Sequence, residues 1–174
     1  MFKIGNLAVC MGIALMLALT GGCGKDGPAG KGKPEEEHGH KAAHGGCLNV
    51  IGACAIGHAE VKVEGDVLRL WFVGGENDTD KAVRVPDTEI VLTVKVEGEK
   101  EPRSLTLKAK PNQLLEEKAG DCSYFESQAD WLTGIKAFEA TGSVNHKGKK
   151  QALRIEYPRG YDPDDAAPGD KRAP

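Results

Sequence analysis

Short stretches in which apolar and polar residues alternate dominate residues 47–157. In residues 58–64 the apolar side chains fall on one face and the polar ones on the other, which is the period-two pattern of a half-buried strand. Residues 67–73 repeat this alternation directly after a Gly-Asp turn signal. The two stretches therefore predict a β-hairpin.

The same pattern predicts further strands, separated by turns rich in glycine, proline and asparagine: residues 89–97, 104–110, 136–144 and 149–157. A capping-box spacing and a closing glycine predict one short helix over residues 127–134. Residues 112–118 are compatible with either a helix or a strand. Seven to eight short strands indicate an all-β domain over residues 44–157, an antiparallel β-sandwich or a small barrel.

Residues 1–22 have the layout of an export signal, with a positive start, an apolar run too short to span a membrane, and small residues at the end. They resemble a bacterial lipoprotein signal peptide, in which cleavage precedes the cysteine, here Cys23, and the thiol is lipidated. The usual leucine three places before that cysteine is Thr20 in this chain. An ordinary secretory signal cut near Gly22 is the alternative.

Lipidation at Cys23 would anchor the mature protein to a membrane without a spanning segment. The residue after the cysteine is not aspartate, so the resemblance favours the outer membrane, with the protein facing the periplasm. Residues 23–43 are glycine-rich and charged, which predicts a flexible tether. The proline-rich and charged residues 158–174 predict a disordered tail.

The charge pattern and the motifs exclude several classes of function. The net charge is -3, and no basic patch is interleaved with aromatic residues, so nucleic acid is not an expected partner. The chain lacks a nucleophile elbow, a phosphate-binding loop, a zinc-protease helix motif and a Cys-x-x-Cys pair. We therefore predict that the protein is not an enzyme.

Histidines concentrate at the start of the β-domain and just before it. His38, His40 and His44 fall within seven residues, and His58 follows. Neutral imidazole is a common ligand of zinc and copper, and short His-rich tracts are typical of metal binding. Glu60 shares a strand face with His58 and could be a co-ligand or could orient the ring. Taken alone, the His-x-Glu pair of residues 58–60 favours an exposed polar strand face over a ligand pair, and the histidines of the tether could be incidental.

The cysteines of the same region allow two interpretations, a metal site or a disulfide. With His44 and His58, Cys47 and Cys54 could form a four-ligand zinc or copper(I) site. Export into an oxidising compartment favours instead a Cys47–Cys54 disulfide around a turn. Cys122 would then be a free thiol, although its pairing with either of the other two stays open.

A resemblance rests on His44-Gly45-Gly46, on the His-Ala-Glu of residues 58–60, and on the order of the strands that follow. These features resemble a family of small exported bacterial lipoproteins with a His-rich lead and a His-Gly-Gly…His-x-Glu β-domain. The resemblance implies metal handling in the cell envelope, beside a cation-efflux or other metal-transport protein, with His44, His58 and Glu60 as the candidate site. The chain departs from the family pattern at Cys47 and Cys54.

Two hypotheses follow. In the first, the protein is a lipid-anchored envelope protein that sequesters or delivers a zinc or copper ion through His44, His58 and Glu60, aided by His38 and His40. In the second, it is a non-catalytic structural or interaction lipoprotein, stapled by a Cys47–Cys54 disulfide and free of metal.

Overall fold

The structure is a computed structural model that describes residues 40–164. The predicted signal peptide, Cys23 and His38 lie outside the described residues, as does the predicted tail beyond residue 164. The described part contains eight β-strands: β1 (Cys47–Val50), β2 (His58–Glu64), β3 (Val67–Val73), β4 (Glu89–Val96), β5 (Arg103–Ala109), β6 (Tyr124–Gln128), β7 (Phe138–His146) and β8 (Lys149–Tyr157). No helix among residues 40–164 is long and apolar enough to cross a membrane.

All eight strands belong to one antiparallel sheet with the order β1-β2-β3-β6-β5-β4-β7-β8. The sheet curls until its two edge strands meet, so it forms a nearly closed barrel. The all-β prediction is confirmed, and of its two alternatives the small barrel is the one that forms.

Asn49 joins the two edge strands. Its side-chain oxygen accepts the backbone N–H of Glu156 in β8 at 2.8 Å, and its amide nitrogen donates to the carbonyls of Cys47 and Ala59. The side chain is fully buried. A buried amide with its partners satisfied stabilises the seam, whereas an unsatisfied one would cost about 1–3 kcal/mol.

The barrel interior is filled by the alternate, apolar side chains of the strands. The largest that are fully buried are Phe72, Phe125, Ile51, Leu68, Leu70, Ile90, Leu92, Leu107, Leu132, Leu153 and Ile155. The rings of Phe72 and Phe125 meet edge to face at 5.6 Å. In β4 the burial alternates along most of the strand, as the sequence pattern predicts.

The predicted helix over residues 127–134 is wrong in extent. β6 continues through Gln128, which pairs with Val67 of β3, and only Asp130–Leu132 forms a single 3₁₀ turn. Ser127 therefore lies in a strand and caps nothing. Strand pairing with β3 outweighs a capping signal of about 1 kcal/mol. The ambiguous residues 112–118 contain a second 3₁₀ turn, Gln113–Leu115.

Both ends of the described chain lie against the barrel, outside the domain limits of residues 44–157 that the sequence predicts. After β8, the Tyr161 carbonyl accepts the N–H of Val50 at 2.7 Å and the Tyr161 N–H donates to Leu48. Before β1, the hydroxyl of Thr79 donates to the carbonyl of Lys41 at 2.9 Å. Backbone groups of β1 at the barrel edge offer Tyr161 hydrogen bonds that a composition-based boundary does not anticipate.

His146, at the end of β7, points into the barrel and is fully buried. Neither of its ring nitrogens has a hydrogen-bond partner among the described residues. Burial lowers the pKa of His146, and the neighbouring charge of Lys147 lowers it further. The folded protein therefore holds this ring neutral.

We expect His146→Leu to stabilise the protein and to flatten its pH dependence. At pH 8 the imidazole is neutral in both the folded and the unfolded chain, and replacing an unsatisfied buried polar ring should raise the free energy of unfolding by about 1 kcal/mol. Below the ordinary histidine pKa of 6.5, the unfolded chain takes up a proton that the folded chain does not, so the unsubstituted protein loses stability as the pH falls. Urea unfolding at pH 8 and pH 5.5 measures both effects. Equal losses of stability in the two proteins over this interval would contradict the assignment.

Candidate metal centre

The outer face of β2 is buried at its start, although its residues are polar. His58 is 1% exposed and Glu60 is 0% exposed. The alternation of β2 directs Ala59 and Val61 into the core and these two side chains away from it. Chain segments on the outside of the sheet therefore cover both, and each side chain must find partners there.

Three metal-ligating side chains converge at His58. The Cys54 sulfur lies 2.9 Å from Nε2 of His40 and 3.9 Å from Nε2 of His58. The two imidazole rings are tilted, with their centres 4.8 Å apart. All three ligand atoms lie within 4.8 Å of one another, and among the described residues this is the one group of three or more such side chains that close together.

Each ligand comes from a different part of the chain. His58 begins β2, Cys54 lies in the turn between β1 and β2, and His40 precedes the barrel. Gly75, in the loop after β3, lets that turn approach closely, because an added Cβ there would lie 2.5 Å from the Ala55 carbonyl. The backbone N–H of Glu76 donates to the Cys54 carbonyl at 3.2 Å. The loop after β3 thereby fixes the position of Cys54.

The same loop also orients both imidazoles. Nδ1 of His58 donates to the carbonyl of Gly74 at 2.9 Å, and Nδ1 of His40 donates to the carbonyl of Glu76 at 2.7 Å. A carbonyl can only accept, so each Nδ1 carries the proton and each Nε2 presents its lone pair towards Cys54. Hydrogen bonding of the second ring nitrogen to a backbone carbonyl is the arrangement typical of metal-bound histidine.

The protonation state of His58 favours cation binding, whereas that of Cys54 opposes it. Burial lowers the pKa of His58, so the ring is held neutral, as a ligand must be. Burial also raises the pKa of the Cys54 thiol. A cation that binds here therefore has to displace the thiol proton, which thiolate-binding ions do when they coordinate sulfur.

The spacing of the three atoms suits a small transition-metal ion. Zinc–sulfur bonds of about 2.3 Å and zinc–nitrogen bonds of about 2.0–2.1 Å place tetrahedral ligands about 3.3–3.6 Å apart. The observed 2.9 Å and 3.9 Å lie on either side of that value. Shifts of about half an ångström would bring each of these two sulfur–nitrogen distances to the tetrahedral value.

His44 and Glu60 form a different arrangement. One carboxylate oxygen of Glu60 accepts the backbone N–H groups of His44 at 2.7 Å and Gly46 at 2.8 Å, and the other lies 2.9 Å from Nδ1 of His44. The His44 ring stacks on Trp71 at 4.4 Å, and Trp71 stacks on Tyr124. Both oxygens of Glu60 are thus occupied in holding the segment before β1 onto the sheet.

Packing explains the Gly-Gly pair of this segment. Gly45 has a φ of +72°, and an added Cβ at Gly46 would lie 2.5 Å from the Val61 carbonyl. The His-Gly-Gly sequence therefore lets the chain turn and lie directly on β2.

The predicted Cys47–Cys54 disulfide is not found, since both residues are free thiols. Cys47 faces the core, where its sulfur contacts the carbonyl of Glu156 at 3.8 Å, while Cys54 lies outside the sheet beside His40. The strand alternation that points Cys47 inwards separates the two sulfurs. Cys122 is also free and buried, with its sulfur 3.1 Å from the carbonyl of Tyr124.

The structure thus divides the residues that the sequence singled out. It brings His40, Cys54 and His58 together. The hydrogen bonds of Glu60 to His44 and Gly46 form a separate arrangement beside them, the clamp at Glu60. The sequence allows Cys54 as a ligand but favours its pairing in the disulfide. The sequence signal for Cys54 as a ligand is the Cys-x3-His spacing that leads into β2. A turn of that length can fold a thiol back over the first residue of the strand.

No protein family, curated protein or solved structure matches this chain. The resemblance to exported lipoproteins with a His-rich lead therefore stays a prediction.

We expect Glu60→Ala to destabilise the fold strongly and His44→Ala only weakly. The first substitution removes the buried carboxylate that accepts the part-buried N–H groups of His44 and Gly46, and the loss of these charge-assisted hydrogen bonds should cost about 3 kcal/mol. The second removes a ring whose side chain is 41% exposed and should cost about 1 kcal/mol or less. Urea unfolding in the presence of a chelator measures both. Similar losses in the two variants would contradict the role assigned to the carboxylate.

Proposed function

We propose that this protein binds a transition-metal ion, zinc or copper, through His40, Cys54 and His58. The observation that carries the proposal is the convergence of two oriented Nε2 atoms on one sulfur. Two imidazoles and one thiolate suit zinc and copper, and they suit magnesium or calcium poorly, because those ions prefer oxygen ligands.

The ligand number favours an exchangeable ion over a structural one. Structural zinc sites are closed by four protein ligands, whereas three protein ligands leave a position for water or for an incoming group. The described residues offer three, and both His40 and Cys54 are only partly buried. A site of this kind can take up an ion and pass it to a partner that supplies a ligand of its own.

The proposed setting is the bacterial cell envelope. The signal-like residues 1–22 and the lipidation cysteine Cys23 support an anchored, exported protein, and a metal-transport protein of the envelope would be the partner. His38, two residues before His40, is a further histidine of the same tract. Sequestration or delivery of the ion, without catalysis, is the function proposed.

Metal titration of single-site variants tests the proposal. We expect His40→Ala, Cys54→Ser and His58→Ala each to weaken zinc binding by more than about tenfold, since each removes one of three ligands. His44→Ala is the matched control, because it removes an imidazole from the same segment without touching the cluster, and it should change the affinity less than about threefold.

The titration uses the reduced protein from residue 24 onward and a chromophoric zinc competitor. Circular dichroism of each variant confirms that it is folded. A folded Cys54→Ser variant with unchanged affinity would refute the proposed site, as would a His44→Ala loss equal to that of the three ligand variants.

A further inference from the structure

The chain after β8 returns to the metal centre. The carbonyl of Tyr161 accepts the N–H of Val50, and Val50 is paired directly with His58 across the β1–β2 ladder. Asp162 follows at once, so it lies across β1 from His58, about two strand spacings or roughly 10 Å away. An Asx turn, in which a side-chain oxygen of Asp162 accepts the N–H of Asp164 at 2.9 Å, holds the two aspartates in a compact turn.

A third acidic residue adjoins the cluster through its backbone. Glu76 belongs to the loop after β3, and its backbone bonds both to the Cys54 carbonyl and to the His40 ring. The negative charges of Asp162, Asp164 and Glu76 all contribute to raising the pKa of Cys54, and that of Asp162 opposes the lowering of the pKa of His58. Both directions agree with the position of Asp162 that its pairing beside β1 gives.

We propose that Asp162 and Asp164, which the β1–Tyr161 pairing holds beside the His40–Cys54–His58 centre, make the centre selective for divalent over monovalent cations. This inference rests on the proposed metal-binding function and adds the charge class of the ion. The two aspartates act through their field and do not ligate the ion, since the close group of ligand atoms contains neither of them.

The physical basis is the charge dependence of Coulomb energy. One thiolate already neutralises a monovalent ion, whereas a divalent ion keeps a net positive charge that nearby carboxylates stabilise. Because either ion displaces the thiol proton, a monovalent ion adds no net charge at the centre and a divalent ion adds one positive charge. The aspartates should therefore raise the affinity for the divalent ion and leave that for the monovalent ion nearly unchanged.

The test is the double variant Asp162→Asn/Asp164→Asn, titrated with zinc(II) and, under anaerobic conditions, with copper(I). At low ionic strength the variant should bind zinc(II) about tenfold more weakly and copper(I) with nearly unchanged affinity. In 0.5 M sodium nitrate the zinc(II) loss should shrink to less than about twofold, because the aspartates are screened. The control variant Glu97→Gln/Glu101→Gln removes two exposed charges from the β4–β5 turn and should leave both affinities unchanged.

Three results would each overturn the inference: equal fold-losses for the two ions, no loss for either ion, or a zinc loss that persists in high salt. The last result would mean direct ligation by an aspartate. These failures are distinct from failure of the proposed function, which would show as unchanged zinc affinity in Cys54→Ser. If the inference fails while Cys54→Ser still weakens zinc binding more than about tenfold, the proposed metal centre stands and only its charge selectivity is refuted.

Discussion

Two buried polar side chains on the outer face of β2 determine how this protein is built around its first hairpin. A buried imidazole and a buried carboxylate each cost several kcal/mol unless they are given hydrogen-bond partners. His58 obtains a carbonyl from the loop after β3, and Glu60 obtains two N–H groups and an imidazole from the segment before β1. Satisfying these two residues therefore brings two separate segments onto one strand, and the candidate metal centre forms where they meet the turn between β1 and β2.

This arrangement couples the ligand cluster to the fold. The loop that orients both histidines also bonds to the backbone of Cys54, and the clamp at Glu60 holds the chain only a few residues after His40. Most of the geometry that the proposed ion requires is thus set by the fold itself. Preorganised ligands bind more tightly, because little ordering is left to be done on binding.

The period-two alternation was enough to predict the all-β class and most of the strands, because inward and outward positions in an antiparallel barrel differ so strongly in polarity. It misassigned the start of β2, because His58 and Glu60 look like an exposed polar face in the sequence. Only tertiary contacts from distant segments bury them. Strand register and alternation also set the direction of the Cys47 side chain. It points into the core and so cannot form a disulfide with Cys54.

The candidate site was predicted in its chemistry and only partly in its residues. The histidines near the entry to the barrel indicated a potential metal site and included His40 and His58, whereas Cys54 was assigned to the disulfide. His44 and Glu60, which were also predicted as ligands, lie outside the close group. Which of them meet depends on the loop after β3 and on the turn between β1 and β2, and neither carries a motif that fixes its shape. The approach of Asp162 depends on pairing between Tyr161 and β1, which composition gave no reason to expect.

X-ray absorption spectroscopy at the zinc edge tests the central claim most directly, because it counts the atoms bound to the ion. The zinc-loaded protein should show one sulfur at about 2.3 Å and two imidazole nitrogens at about 2.0–2.1 Å, with a light atom in the remaining position. In Cys54→Ser the sulfur contribution should vanish. A shell without sulfur in the unsubstituted protein, or one with two sulfurs, would contradict a centre built from His40, Cys54 and His58.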